Sequence, residues 1–150
     1  MNQVAEAGTV YLVNKALQGV VENGTAKAAK SQLPFLLAGK TGTTSDYRDS
    51  WFVGFTPDVL TVTWVGFDNN KPTGLTGGTG ALPVFVDVMK NIILGSRFDD
   101  FTPTSDIKKV SVDKETGRLY KKSCGEGVDE YFISGTEPKE KCNQKSGKDE

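Results

Sequence analysis

The run Leu37-Ala38-Gly39-Lys40-Thr41-Gly42-Thr43-Thr44, then Ser50-Trp51-Phe52-Val53-Gly54-Phe55 and Leu60-Thr61-Val62-Thr63-Trp64-Val65-Gly66-Phe67, decides the fold. The second segment is aromatic and β-branched, and the third alternates cleanly, as strands do. Between them Ser45-Asp46-Tyr47-Arg48-Asp49 is polar and reads as a loop, and Thr56-Pro57-Asp58 turns the chain. Three consecutive strands on links this short favour an antiparallel meander.

Helical patterns flank the strands. From Thr9 to about Lys30, Val10, Val13, Leu17, Val20 and Val21 recur at spacings of three and four, which lines one helix face with apolar groups. Thr9 is a candidate N-cap, Asn23-Gly24 marks a break, and Ala26–Lys30 can form a second short turn. A further helix is expected from Ala81, with Pro83 in its first turn and Leu82, Phe85, Val86, Met89 and Ile93 as the buried stripe, ending at Gly95. Asp68-Asn69-Asn70 reads as a turn, and Trp51, Phe52, Phe55 and Trp64 as core. The fold class is therefore α+β, a three-stranded antiparallel meander between an N-terminal and a C-terminal helix. Residues 1–101 form this part, and 102–150 form an irregular extension. In that extension Ile107, Val110 and Val112 with Asp113-Lys114-Glu115-Thr116-Gly117 suggest a short hairpin or loose β segment, and the charged end is expected to be disordered.

Composition excludes several functions. Of 150 residues, 18 are Lys or Arg and 19 are Asp or Glu, a net charge of −1 that offers no polyanion surface, so nucleic acid is not an expected partner. The chain has no His, which removes Ser-His-Asp and Cys-His catalysis from it along with the commonest zinc ligand. No metal or cofactor is expected. No run of about 18 apolar residues could span a bilayer, and the start lacks the basic-then-apolar pattern of a signal peptide, so export would require a signal on other sequence. Cys124 and Cys142 are either two unrelated thiols or one disulfide closing a late loop in an oxidising compartment, with the disulfide favoured.

Chemistry concentrates on the first strand. Residues two apart share a face, so Lys40 and Gly42 point the same way, an ammonium beside a position with no side chain. A peptide ending in a carboxylate can add to such an edge through main-chain hydrogen bonds, with the Thr43 and Thr44 hydroxyls reading its anionic end. Gly39-Lys40-Thr41 also looks like the tail of a phosphate-binding loop, but the position five before Gly39 is Pro34 and the segment is apolar, which rules that reading out. Gly77-Gly78-Thr79-Gly80 could hold an anion on backbone N–H groups, although conformational need is the preferred reading. Arg48 and Asp49 are candidates for a loop ion pair.

Lys-Thr-Gly is one of three motifs shared by penicillin-binding proteins and class A β-lactamases. Residues 37–44, Asp49-Ser50-Trp51-Phe52-Val53-Gly54-Phe55-Thr56-Pro57, Thr63–Asn69 and Gly78–Pro83 together resemble the C-terminal portion of the transpeptidase domain of class A bifunctional penicillin-binding proteins. Leu17–Thr25 extends the likeness upstream, and Gly135-Thr136-Glu137-Pro138 with Cys142 extends it downstream, to roughly residues 5–142. The resemblance implies a partial β-lactamase/transpeptidase-like fold and serine acyl transfer on D-Ala-D-Ala stem peptides. It also implies penicillin binding, the missing N-terminal half of the domain as a partner, and a place on the outer face of the cytoplasmic membrane. In that likeness Lys40 holds the substrate carboxylate and tunes nearby protons, Thr41 and Thr43 hydroxyls recognise the carboxylate, and Gly42 admits the substrate backbone. The Thr43 N–H is one of two oxyanion donors.

The family's nucleophile lies in Ser-x-x-Lys, followed by Ser-x-Asn, both upstream of Lys-Thr-Gly. The chain has no Ser-x-Asn, and its two Ser-x-x-Lys matches, Ser105–Lys108 and Ser111–Lys114, follow Lys-Thr-Gly and sit on no helical pattern. Both are read as chance, and the chain alone is expected to be inactive. Alternatives are a D,D-carboxypeptidase or β-lactamase fragment, in which water replaces the acceptor amine, and a non-catalytic wall-binding module.

Overall fold

A computed structural model describes residues 3–92 and 100–143. Contacts divide the chain into one unit of Val13–Thr102 and another of Met1–Leu12 with Pro103–Glu150.

The larger unit holds most of helix α1 (Ala7–Glu22), the short α2 (Lys27–Lys30), strands β1 (Ala38–Thr43), β2 (Ser50–Phe55) and β3 (Leu60–Val65), and helix α3 (Ala81–Ile92). The strands form an antiparallel meander in the order β1-β2-β3. The register runs Thr41↔Phe52↔Thr63 and Gly42↔Trp51↔Trp64, so adjacent rows face opposite sides of the sheet.

One side is the core. Phe52 is fully buried and meets Phe85 of α3 edge-on at 4.7 Å. Leu82, Val86 and Met89 complete the helix stripe, with Val21, Ala26, Ala29, Leu33 and Leu37 around them. Gly54 is glycine because a Cβ there would lie 2.5 Å from Phe85 Cζ. Ile93 and Gly95, expected to finish the stripe and the helix, lie outside the described residues.

The opposite side of the sheet differs from the sequence expectation. Trp51 and Trp64 were expected in the core, yet they are 39% and 43% exposed, and Leu60 and Val62 beside them are 66% and 54% exposed. Strand alternation puts these side chains opposite Phe52, and only the Phe52 side is covered by α3. The α1 stripe also shifts. Tyr11, Gln18 and Val21 are buried while Val10 and Val13 are exposed, and the helix begins at Ala7, ahead of the expected cap at Thr9. Valines occur around more than one side of this helix, so spacing alone did not select the face that packs. Within the larger unit the Gln18 amide donates to Asp100 Oδ1 at 3.1 Å.

The smaller unit is built on a two-stranded antiparallel sheet, β4 (Ile107–Asp113) with β5 (Gly127–Ile133). The partner of β4 comes fourteen residues after β4 ends, not directly after the Asp113–Gly117 turn. Leu119 bridges Val112 on one side and Lys141 on the other, and Cys124 is joined to Cys142 by a disulfide with Cα atoms 6.2 Å apart. Tyr11 and Tyr131 meet edge-on at 5.5 Å. Exposed ion pairs Lys108–Glu137, Lys109–Asp129, Lys114–Glu126 and Arg118–Glu140 lace its surface. Each Ser-x-x-Lys match straddles one end of β4, Ser105 lying before the strand and Lys114 after it, so neither sits on a helix that would set Ser and Lys one turn apart. The expected disordered end, from residue 144 on, lies outside the described residues.

Candidate functional site

Among the described residues β1 has a strand partner on one side only. Cross-strand partners share a face, so Lys40 and Gly42 lie on the side of Val53, Trp51 and Trp64, while Thr41 and Thr43 lie on the side of Phe52 and Ser50. The Lys40 ammonium is exposed and donates to the Thr41 carbonyl at 2.9 Å. A Cβ on Gly42 would stand 3.2 Å from Trp51 Cβ.

The threonines open onto a groove of about 450 Å³ lined by Thr25, Thr41, Thr43, Thr76, Gly78 and Thr79. Thr25 and Thr41 share a hydrogen bond between their hydroxyls at 2.7 Å. The Gly77 N–H donates to Thr43 Oγ1 at 2.9 Å. Thr76 and Thr79 cap each other: the Thr76 N–H donates to Thr79 Oγ1 at 2.9 Å, and the Thr79 N–H to Thr76 Oγ1 at 3.2 Å.

Residues 76–80 are held close against the sheet. A Cβ on Gly77 would come within 2.5 Å of the Trp51 carbonyl oxygen and 2.7 Å of that of Gly42. Close approach, not a left-handed φ, is what requires glycine there, since the described glycines with positive φ are Gly74, Gly117 and Gly135. The buried Ser50 hydroxyl donates to the Thr76 carbonyl at 2.7 Å and accepts the Ala81 N–H at 2.8 Å, which ties the start of α3 to β2. Three N–H groups of this glycine-rich stretch are engaged by protein: that of Gly77 by Thr43, that of Thr79 by Thr76, and that of Gly80 by the Thr76 carbonyl at 2.8 Å.

The β1–β2 loop corrects two side-chain expectations. The Thr44 hydroxyl turns to Asp49, donating to Oδ2 at 3.1 Å and accepting the Asp49 N–H at 2.8 Å, so it closes the loop and does not face the groove. Arg48 does not pair with Asp49. Its guanidinium reaches the Asn70 carbonyl at 2.9 Å and Asp46 at 3.4 Å, while Asp49 Oδ1 accepts the Trp64 indole N–H at 2.9 Å. The Asp68-Asn69-Asn70 turn forms as expected, with the Asn70 N–H on the Phe67 carbonyl at 2.9 Å. Tyr47 takes a left-handed φ of 53°, and its carbonyl accepts both the N–H and the hydroxyl of Thr73 at 2.8 Å.

Sequence reasoning placed Lys40, Thr41, Gly42 and Thr43 on one strand and singled out Gly77–Gly80, but missed Thr25 and Thr76, which also line the groove, and Ser50, which ties Thr76 to β2. Ser50, a lone hydroxyl on the buried side of a strand, carried a usable signal, and so did the Thr76–Thr79 spacing ahead of a helix. Thr25 carried none, because its place depends on how the chain leaves α1.

Similarity to known proteins bears on this site. Residues 1–90 match the family described as penicillin binding protein transpeptidase domain, and residues 103–147 match penicillin-binding protein 1A, C-terminal domain. The chain is 40% identical over 129 residues to penicillin-binding protein 1A of Aquifex aeolicus, covering 85% of this chain and 18% of that protein. It is 44% identical over 97 residues to penicillin-binding protein 1A of Neisseria gonorrhoeae, covering 63% and 12%. Its fold is similar to the crystal structure of penicillin-binding protein 1A from Haemophilus influenzae, with a TM-score of 0.84 at 28% identity, covering 93% of this chain and 22% of that one. The chain therefore spans less than a quarter of the length of these relatives.

Proposed function

The chain belongs to the penicillin-binding protein transpeptidase family, and from that premise we propose that it supplies the substrate-binding edge of a peptidoglycan D,D-transpeptidase. The observation that carries the reading is β1 itself, an edge strand with the Lys40 ammonium on one face and the Thr41 and Thr43 hydroxyls on a groove. In this reading a stem peptide ending in D-Ala-D-Ala lies along β1, with Gly42 giving its backbone room. Lys40, Thr41 and Thr43 hold the terminal carboxylate. A serine attacks the carbonyl between the two D-Ala residues, D-Ala leaves, and an amine of a neighbouring stem peptide takes the acyl group. The Thr43 N–H donates to the oxyanion, and removal of such a donor typically costs about 3–4 kcal/mol of transition-state stabilisation.

The nucleophile comes from the remainder of the transpeptidase domain, which would also cover the exposed Trp51, Val62, Trp64 side of the sheet. Residues 1–101 are the transpeptidase part and 102–150 an extension held by the Cys124–Cys142 bridge. The disulfide supports a setting on the outer face of the cytoplasmic membrane. No helix among the described residues is long and apolar enough to cross a membrane, so the anchor would lie on other sequence.

Two measurements test this. Purified chain should form no covalent band with a fluorescent penicillin, and a band would overturn the assignment of the nucleophile elsewhere. N-acetyl-D-Ala-D-Ala should shift the amide resonances of Lys40–Thr43, and an unmoved spectrum at saturating peptide would overturn the site.

A further inference from the structure

We propose that Ser50 is a positioning residue that fixes the Thr43 hydroxyl, through the Thr76–Gly77 peptide group, as a hydrogen-bond donor into the groove. The inference rests on the reading of β1 as the ligand-binding edge and adds a residue and a direction to it.

Ser50 and Thr43 are cross-strand partners, so their side chains leave the sheet together on the α3 side. They grip two ends of one amide. The Ser50 hydroxyl donates to the Thr76 carbonyl at 2.7 Å, and the Gly77 N–H of the same peptide group donates to Thr43 Oγ1 at 2.9 Å. All described peptide bonds are trans, which points the C=O and N–H of that group in opposite directions and lines the bonds up head to tail. Ser50 Oγ in turn accepts the Ala81 N–H at 2.8 Å, so its single hydrogen is directed to Thr76.

The chain of donors therefore runs one way: Ala81 N–H to Ser50, Ser50 O–H to the Thr76 carbonyl, Gly77 N–H to Thr43. Thr43 Oγ1 accepts at its inner side, and its own hydrogen is left for the groove. Successive bonds polarise one another by about 10–30% each. What the Thr43 hydroxyl then meets best is an acceptor carrying negative charge, not another donor. Burial adds to the case, because Ser50 is 0% exposed and no water competes for its hydroxyl.

A purely structural Ser50 would anchor α3 and do nothing more, and the two roles separate in ligand discrimination. The full chain is titrated by NMR with N-acetyl-D-Ala-D-Ala and with its C-terminal amide, as wild type, Ser50→Ala and Thr43→Val. The wild type should prefer the carboxylate, and Ser50→Ala should lose about fivefold of that preference, approaching Thr43→Val. A structural role lowers binding of both ligands alike and leaves the preference intact, which overturns the proposal. Should Ser50→Ala fail to fold, the wild type decides. Its Gly77 amide proton, out of contact with ligand, should move downfield with the carboxylate and much less with the amide. A Gly77 proton that moves equally with both refutes the relay. Failure of the wild type to bind either ligand removes the reading of β1 and the relay with it, whereas equal preference in wild type and Ser50→Ala removes the relay alone.

Discussion

Gly77→Ala should destabilise the larger unit by about 2–4 kcal/mol, and the figure can be worked from the local geometry. The added Cβ would sit 2.5 Å from the Trp51 carbonyl oxygen, 2.7 Å from the Gly42 oxygen and 2.9 Å from the Gly42 nitrogen. These are backbone atoms of paired strands, so the sheet cannot yield as a flexible side chain would. Ordinary contact begins near 3.4 Å, so residues 76–80 must withdraw by about 0.9 Å. Two hydrogen bonds are exposed to that withdrawal, Gly77 N–H to Thr43 at 2.9 Å and Leu82 N–H to the Gly77 carbonyl at 2.9 Å. Each is worth about 1 kcal/mol net, and residual crowding supplies the remainder. Neighbouring glycines provide the control. A Cβ on Gly78 meets only the Thr25 carbonyl oxygen at 3.3 Å and Thr76 Oγ1 at 3.8 Å, so Gly78→Ala should cost under about 1 kcal/mol. Urea unfolding followed by far-UV circular dichroism measures both. A Gly77→Ala midpoint matching wild type, or a Gly78→Ala loss as large as that of Gly77→Ala, would refute the close-approach argument.

Three other outcomes follow from the packing and charges. Phe85→Ala empties the space over Phe52 and Gly54 and should cost about 3–5 kcal/mol in the same urea experiment, with a loss under about 1 kcal/mol arguing against α3 as the main cover of the sheet. Reducing Cys124–Cys142 opens a loop of 18 residues that contains all of β5. It should destabilise the smaller unit by about 3 kcal/mol, read as faster proteolysis of 134–143 in reductant, and equal cleavage rates would contradict this. The Lys108 ammonium, with backbone N–H donors from Glu137 and Gly135, lowers the Glu137 carboxyl to about 2 from 4.5. Ser111 and Lys109 lower Asp129 in the same direction, and Thr116 lowers Asp113. A depressed folded pKa gives stability that is complete above about pH 4.5 and is lost as pH falls through about 2. Carboxyl-carbon NMR should place the Glu137 midpoint near 2, and a midpoint at 4.5 would dismiss the interaction.

How much of this was legible beforehand varies by element for physical reasons. The meander was readable because Ser50–Phe55 and Leu60–Val65 carry their own strand chemistry and short links leave few topologies. The α3 stripe was readable because Leu82, Phe85, Val86 and Met89 recur at helical spacing and include the bulkiest side chains of the helix, although Val84, Val88 and Ile92 stand exposed on its other side. The exposed Trp51 and Trp64 were misjudged because hydrophobicity says that a residue seeks cover, not which face receives it. Strand β5 escaped because Gly127–Ile133 includes Asp129 and Glu130, and its pairing with β4 is long-range. In the site, identities along β1 were legible, whereas directions of hydroxyls were not. Thr44 and Thr43 look alike in sequence, and only the positions of Asp49 and Gly77 turn one into the loop and the other to the groove.

The row Gly42↔Trp51↔Trp64 also makes the strand optically addressable. Those two indoles are the only tryptophans in the chain, and their ring centres lie 6.1 Å apart. All tryptophan emission therefore originates within two strand spacings of Gly42, and the pair is close enough for excitation to pass between the rings. A ligand laid along β1, or a protein surface closing over that side of the sheet, would alter the colour, lifetime and anisotropy of this light without any label attached.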